Sequence, residues 1–540
     1  MPSPGPSPTT TILMRRLERL SAATPAELLL RQSGRDGNTF VDQLKVMLQP
    51  GRGTTSRPSS RPLLRAVAFL LRHWLAPYAV LMLPLLVRNQ GIDPGAAWCH
   101  SLGLTAVVAL WLSALMHCLY FDWQLRRSLW DAGAVAPGVY VGPGARASQI
   151  GERLRALQDS HRPTRWVWNG DMQTLVPYIT YPSPHVAFTR LWFKAPAVGN
   201  RGRVEENAGG APACKTAPTR SMPEYEVLAH DWALPDGGHD PSKPLAVVLH
   251  GLNGGSAEPL VMDFVAAATR RGWTCVVLNA RGLGGTELSS AHPFHGARTS
   301  DLAALLALTQ EAAPGVRLVG VGFSMGAVVL ANYVGVAGAS CRLSAAVAIS
   351  GCIDAIANKG GYGSRSFEAF LTGELKNNFC TGPRAAHLAR GGVDLSAAIG
   401  PRVDCIMEFD AATVVPFNAF NDVDDYYRHM SLGHLGKERR VTVPLLHVHA
   451  CDDPIIDCDT FAPYLRGGTP PPNLHFLITR RGGHVGWCEG WLPWRTRWGF
   501  QNRAVFAFVD AVVEEQQEAA TKPSRRRPDR SPARHRGPSM

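Results

Sequence analysis

The sequence predicts an α/β fold, a mostly parallel, doubly wound sheet carrying a helical insertion and preceded by apolar membrane segments. Three observations carry this expectation. From about Trp166 onward, apolar β-rich runs alternate with amphipathic helical stretches, the order of a parallel sheet wound by helices. The β-runs are apolar at nearly every position, as strands covered on both faces must be. Ahead of them, residues 94–121 form a stretch of 28 residues without Lys, Arg, Asp or Glu.

The strand-like runs are LAVVLHGL (245–252), TCVVLNARG (274–282), VRLVGVGF (316–323), LSAAVAISG (343–351), VPLLHVHAC (443–451) and LHFLIT (474–479). Helix-like stretches at 258–271, 299–312 and 325–336 lie between them. Residues 352–440 interrupt the alternation and are expected as a helical insertion, within a domain running from 165 to 516. No internal repeat is present.

The first 62 residues are rich in Pro, Ser, Thr and Arg and are expected as a disordered basic leader, with one amphipathic stretch near 12–30. Glu18 and Glu27 argue against a transit peptide, and no apolar core near the start supports a secretory signal. Residues 63–125 are expected to anchor the chain in a membrane. The 94–121 stretch exceeds the roughly 20 residues a bilayer core requires, and Trp98, Tyr120 and Trp123 sit near its ends. A buried core helix is the plainer alternative. The earlier block, 63–87, carries Arg72, Pro77 and Pro84, so it spans, dips in or lies at the interface.

Arg52, Arg57, Arg61 and Arg65 precede these blocks and Arg126 and Arg127 follow them, while the connecting loop holds only Arg88 and Asp93. This bias favours a two-span hairpin with both ends cytosolic, in the endoplasmic reticulum or another endomembrane. A single span would leave the orientation open.

Composition narrows the function classes. The 540 residues are 45% hydrophobic and 18% charged, below the soluble average of about 25%, which excludes an acidic solvating chain. The net charge is +12, but residues 522–540 hold seven Lys/Arg against one Asp, so half of the excess lies in a tail. That tail, 517–540, is expected to be disordered, either solvated or touching anionic lipid. No nucleic-acid partner is expected for the folded part. Eleven cysteines are scattered without a C-x-x-C pair or metal-ligand spacing, so neither a metal nor a cofactor is expected. The chain is expected to act as a monomer.

Gly322-Phe323-Ser324-Met325-Gly326 is a G-x-S-x-G string at the junction of an apolar strand and a helix. That setting is the strand-to-helix elbow of a serine nucleophile. A serine requires a base, and the base an orienting carboxylate. Asp452-Asp453-Pro454 ends one later strand and Gly482-Gly483-His484 follows another, in the order this fold demands. The triad expected is Ser324, Asp453 and His484. The backbone N–H groups of Leu252, in the loop His250–Gly255, and of Met325 are the expected oxyanion donors. His447 and Asp452 also form an H-x-x-x-x-D string, but His447 lies mid-strand, and a second active site there is not expected.

These motifs make the chain resemble the α/β-hydrolase family 4 group, which includes membrane-anchored lipid hydrolases, plant embryogenesis-associated proteins and fungal medium-chain ethyl-ester synthase/esterases. WNGDMQTLVP (168–177) resembles the entry motif, HGLNGGS (250–256) the oxyanion loop, and NARGLGGTEL (279–288) the following loop. GFSMGA resembles the elbow, EFD and FNDVDDYY (408–427) the insertion, and DDP (452–454) and GGHVGW (482–487) the acid and base loops. The resemblance spans about 168–512. Asp171 departs from the family's usual His, and residues 197–220 are an extra loop. It implies the α/β-hydrolase fold, one membrane anchor near the N-terminus, and hydrolysis of an acyl-lipid ester: a phospholipid, monoacylglycerol or medium-chain ester. The same residues would support an alcohol O-acyltransferase, and a non-catalytic membrane scaffold is the reading from another class. Choice of the second acid, Asp453, also follows the family's acid loop. Trp487, Trp491, Trp494 and Trp498 are expected either to pack in the core or to form a greasy rim.

Overall fold

The computed structural model describes residues 7–20 and 135–521, apart from 145–146, 198–224, 361–364, 401–402, 419, 466 and 468. The 63–125 segment and the tail beyond 521 lie outside the described residues, as does most of the 197–220 loop. No described helix is long and apolar enough to cross a membrane.

Nine strands form one sheet: β1 (Gly138–Val141), β2 (Thr189–Pro196), β3 (Tyr225–Ala233), β4 (Leu245–Leu249), β5 (Thr274–Leu278), β6 (Leu318–Phe323), β7 (Ala345–Ile349), β8 (Leu445–Ala450) and β9 (Leu474–Thr479). Their spatial order is β1-β9-β8-β7-β6-β4-β5-β3-β2. The six strands β4 to β9 pair in parallel, while β1 joins β9 and the β2–β3 pair joins β5 in antiparallel sense. The chain leaves β4 toward β5 and returns to place β6 on the other side of β4. Strand order reverses there, so the loops after β4 and β6 diverge and leave a crevice at their carboxyl ends.

Successive strand residues feed opposite cores. Ala246 and Val248 join the helices Pro259–Arg270 and Gly499–Thr521 on one face. Leu245, Val247 and Leu249 join the helices Ser300–Ala312 and Met325–Ala337 on the other. This two-sided cover is why the strands read as continuous apolar runs. Residues 352–440 form a helical insertion, with helices including Arg365–Phe379, Gly382–Arg390 and Val423–Met430 and small cores of their own.

The structure corrects three expected boundaries. Residues 8–20 are not disordered: they form a helix whose Leu13 and Leu17 are buried in the core beside Ser300–Ala312 and β2. Thr9 Oγ1 donates to the His239 carbonyl at 2.8 Å, and Thr10 Oγ1 accepts the His239 N–H at 2.7 Å. The flanking Pro- and Ser-rich sequence masks this amphipathic segment. The hydrolase domain begins before 165, because β1 extends the sheet and the helix Ala147–Ser160 packs on the last helix. Four-residue β1 is too short to show a period. At the other end, the last helix continues past 516 to Thr521.

Burying a leucine and then truncating it costs about 2–5 kcal/mol. Leu17→Ala should therefore lower the thermal midpoint of the full-length protein by several degrees, whereas Ile12→Ala, at a position 52% exposed, should leave it nearly unchanged. Equal midpoints for both would contradict the docked helix.

Candidate active site

Ser324 stands between β6 and the helix Met325–Ala337 with φ 53° and ψ −118°, a conformation unfavourable for an L-residue. The turn is tight because backbone meets backbone. A Cβ on Gly322 would lie 2.5 Å from the Gly326 carbonyl oxygen, and one on Gly326 would lie 2.5 Å from those of Leu249 and His250. The two glycines of the G-x-S-x-G string are thus required by packing against the turn and against β4. The Ser324 amide is anchored to the Ile349 carbonyl of β7 at 2.8 Å.

The three residues expected from sequence are brought together. Ser324 Oγ lies 2.7 Å from His484 Nε2, and His484 Nδ1 lies 2.9 Å from Asp453 Oδ2. Asp453 Oδ1 accepts the amides of Ile455 and Ile456 at 2.8 and 3.0 Å, which fixes the carboxyl in its loop. Burial opposes its ionisation, but His484, His449 and the Ile456 N–H outweigh burial and hold Asp453 below the usual carboxylate range. An ionised Asp453 places the imidazole proton on Nδ1 and leaves Nε2 to accept from the serine hydroxyl.

Asp452 has a different task. Its Oδ1 accepts the amides of Gly482 and Gly483, both at 2.8 Å, and so shapes the turn that presents His484. Burial, with Asp453 adjacent, pushes its carboxyl up to about 7 against those two N–H groups. Neighbouring carboxyls are thereby driven apart in acidity by what each accepts. His447 is buried and stacks on Phe476 at 5.3 Å, remote in contact from Asp452, so the H-x-x-x-x-D string builds no site.

The His loop is seated on the helix Gly170–Thr180, whose start is the WNGDMQT motif. Thr174 Oγ1 accepts the His484 amide at 2.8 Å, Gln173 Oε1 accepts that of Cys488 at 2.8 Å, and Ser350 Oγ accepts that of Val485 at 3.0 Å. The contact is again bare backbone, because a Cβ on Gly483 would lie 2.5 Å from the Gly170 carbonyl oxygen and one on Gly170 would overlap that of Asp452. Sequence reasoning did not assign Thr174, Gln173 or Ser350. Gln173 and Thr174 were visible only as members of the 168–177 motif, and Ser350 only as a residue at a strand end, since none carries a charge or sits in a nucleophile elbow. Asp171, in the first turn of this helix, is pushed up to about 6 by burial, and among the described residues no hydrogen bond joins it to the triad groups.

On the oxyanion side, His250 Nε2 accepts the Ala280 amide at 3.0 Å, so its proton sits on Nδ1 and is donated to the Gly251 carbonyl at 2.7 Å. A planar trans peptide then turns the Leu252 N–H away from that carbonyl. Neither the Leu252 nor the Met325 amide donates to a backbone acceptor in any turn or loop bond among the described residues. Behind the loop, Asp231 receives a bidentate Arg190 at 2.7 Å and Asn279 Nδ2 at 2.8 Å, and also bonds Ser256 Oγ. Asn279 Oδ1 in turn accepts the Ser256 amide at 3.0 Å.

The tryptophans divide. Trp487 and Trp498 are buried core residues, Trp487 Nε1 donating to Thr479 Oγ1 at 2.9 Å. Trp491 is 72% exposed and Trp494 and Trp168 are also exposed. Trp166 ties these segments together by donating to the Trp491 carbonyl at 2.8 Å.

Comparison with known proteins agrees with this geometry. A profile described as alpha/beta hydrolase fold matches residues 244–368. Protein abhd-3.2 of Caenorhabditis elegans is 27% identical over 71% of this chain and 93% of its own length. Phospholipase ABHD3 of Mus musculus is 26% identical over 71% and 85%. YheT of Escherichia coli is 30% identical over 47% and 74%.

The two acids are separable by their partners. Asp453→Asn should lower kcat on a soluble short-chain ester by about 10⁴, since it favours the wrong imidazole tautomer. Asp452→Asn keeps an oxygen able to accept the two glycine amides and should stay within about tenfold. Steady-state kinetics on both variants decides the assignment, which moves to Asp452 if their order is reversed.

Proposed function

The chain belongs to the α/β-hydrolase family 4 group and is a carboxylic ester hydrolase of the esterase/lipase type; on that premise we propose that it is a membrane-anchored enzyme cleaving acyl-lipid esters through an acyl-enzyme on Ser324. The observation that carries the mechanism is the hydrogen-bonded chain Ser324–His484–Asp453, at 2.7 and 2.9 Å. Ser324 Oγ attacks the ester carbonyl while His484 Nε2 takes its proton. Asp453 holds the Nδ1–H and stabilises the imidazolium without accepting its proton. The tetrahedral oxyanion is received by the N–H groups of Leu252 and Met325, at the positive end of the helix Met325–Ala337. His484 then protonates the leaving alcohol, and a water activated by the same imidazole hydrolyses the acyl-enzyme.

An acyl-lipid substrate is supported by relatives named phospholipase and monoacylglycerol lipase. Exposed Trp168, Trp491 and Trp494, with exposed Arg165 and Arg495 beside them, suit a lipid–water boundary. The proposed anchor is residues 63–125, in the endoplasmic reticulum or another endomembrane, with the hydrolase domain in the cytosol. Docking of the helix Pro8–Leu20 on the hydrolase domain supports a two-span hairpin over a single span. With chain before and after the proposed anchor packed together, an even number of crossings fits the docked helix.

A fluorophosphonate probe applied to membranes containing the full-length protein should label Ser324. Fatty-acid release from a panel of phospholipid, monoacylglycerol and medium-chain esters should fall by about 10⁶ in kcat for Ser324→Ala. Absence of labelling together with absence of release from every ester would overturn the reading.

Topology has its own measurement. A glycosylation acceptor inserted in the 88–93 loop should be modified in microsomes, while acceptors at residue 5 and residue 530 should not. Modification at only one of residues 5 and 530 would indicate a single span and would conflict with the docked helix. Deleting 63–125, and not the whole N-terminus, should release active protein from membranes, because residues 8–20 belong to the domain.

A further inference from the structure

Glu258 is a half-buried residue whose carboxyl turns inward beside the nucleophile and which the mechanism above does not use. It is the N-cap of the helix Pro259–Arg270 but makes no side-chain capping bond. Its side chain instead turns back into the loop that follows β4, where Oε2 accepts the Gly251 amide at 3.2 Å. The carboxyl fills the concave side of that loop. A Cβ on Gly254 would collide with Oε2 and lie 3.1 Å from His250 Nδ1, so a side chain at 254 would displace the carboxyl. A Cβ on Gly251 would lie 3.5 Å from Glu258 Oε1 and 3.6 Å from the Ser324 Cβ. The carboxyl and the Ser324 Cβ thus both face the side-chain space that Gly251 leaves empty, at most about 7 Å apart.

The peptide groups on either side of Gly251 are therefore clamped by side chains. Glu258 holds the N–H of the first, and His250 Nδ1 holds the carbonyl of the second at 2.7 Å. The Leu252 N–H belongs to that second peptide, so its direction is set by both clamps.

We propose that Glu258 is a positioning residue of the oxyanion loop, aiming the Leu252 N–H at the reacting carbonyl, and that it serves in its uncharged form. The inference rests on the ester-hydrolase mechanism proposed for Ser324. A neutral carboxyl still accepts the Gly251 N–H, but a carboxylate would stand within about 7 Å of the Ser324 Cβ, close to the negative charge that develops on the substrate. The groups facing it are His484 from the loop after β9, Tyr178 from the helix Gly170–Thr180, and His250 on its own loop. His250 is kept neutral, its acidity shifted to about 4 by burial, so it supplies no counter-charge. Burial pushes Glu258 up to about 7, against the Gly251 N–H and His484, which favour its ionised form. The group is uncharged below that pH and acquires its charge as pH rises through it.

The experiment uses full-length protein and a water-soluble short-chain ester followed by pH-stat from pH 5.5 to 9. Glu258→Gln retains an acceptor for Gly251 but cannot ionise, so the ratio of kcat at pH 8.5 to kcat at pH 6 should rise about tenfold relative to wild type. Glu258→Leu removes the acceptor and should lower kcat by about 10² across the range with little change in KM, as a misaimed catalytic group does. A Gln variant with the wild-type pH profile would overturn the proposal, whether or not the Leu variant folds. So would a folded Leu variant with wild-type kcat. Fluorophosphonate labelling of Ser324 in the same preparations separates this failure from failure of the enzyme mechanism. Wild-type protein that neither labels nor turns over indicts the mechanism, whereas active wild type with indifferent variants indicts Glu258 alone.

Discussion

Backbone-to-backbone contact at the elbow is the constraint from which the rest of this structure follows. Ser324 is held in an unfavourable conformation because Gly322 and Gly326 let the turn close on itself and on the end of β4. The strain is affordable only where the surroundings over-determine it, and here β4 and β7 grip both sides of β6. The same closeness brings the loop after β4 against the nucleophile, which is where oxyanion donors have to be. A second contact of the same kind, between Gly483 of the His loop and the Gly170 carbonyl, accompanies the placing of His484 at hydrogen-bond distance from Ser324. Small residues occur in these motifs because two chain segments meet without side chains between them.

Three inward-facing carboxyls around this centre show how local partners give like groups different acidities. Asp453 accepts from His484 and two amides and is held ionised. Asp452 accepts two glycine amides yet is pushed up by burial and by its ionised neighbour. Glu258 accepts a single amide, and burial dominates. Desolvation acts on all three, and the number and charge of the partners decide which remains an anion. Asp453, closest to the imidazole, is held ionised, while Glu258, closest to the loop after β4, is pushed up to about 7, so like groups are set apart in acidity by their surroundings.

The periphery follows from how the sheet is finished. Both edges of the parallel core are extended by antiparallel strands, β1 on one side and the β2–β3 pair on the other. The helix Pro8–Leu20 closes the apolar face next to β2, using a segment separated from the rest of the domain by more than one hundred residues. That arrangement ties the geometry of the hydrolase domain to the topology proposed for the intervening chain. Exposed tryptophans gather from two distant segments, 166–168 and 491–494, joined by the Trp166–Trp491 bond.

How much of this was legible from sequence depended on whether the signal was local. Alternating apolar strands and helices, the insertion, and the order of Ser324, Asp453 and His484 at strand ends were readable, because periodicity and strand-end chemistry are short-range properties. The choice between adjacent Asp452 and Asp453 was reasoned from a motif, but only the folded chain decided which oxygen meets His484 Nδ1 and which meets the glycine amides. The docking of residues 8–20, the edge strand β1, the seat provided by Thr174 and Gln173, and the inward turn of Glu258 were not legible. Each depends on a partner far away in sequence or on the direction of one side chain. Sequence by itself determined which chemical groups are present and in what order. Tertiary structure decided their charge states and aim, because burial and hydrogen-bond partners exist only once distant segments have closed on one another.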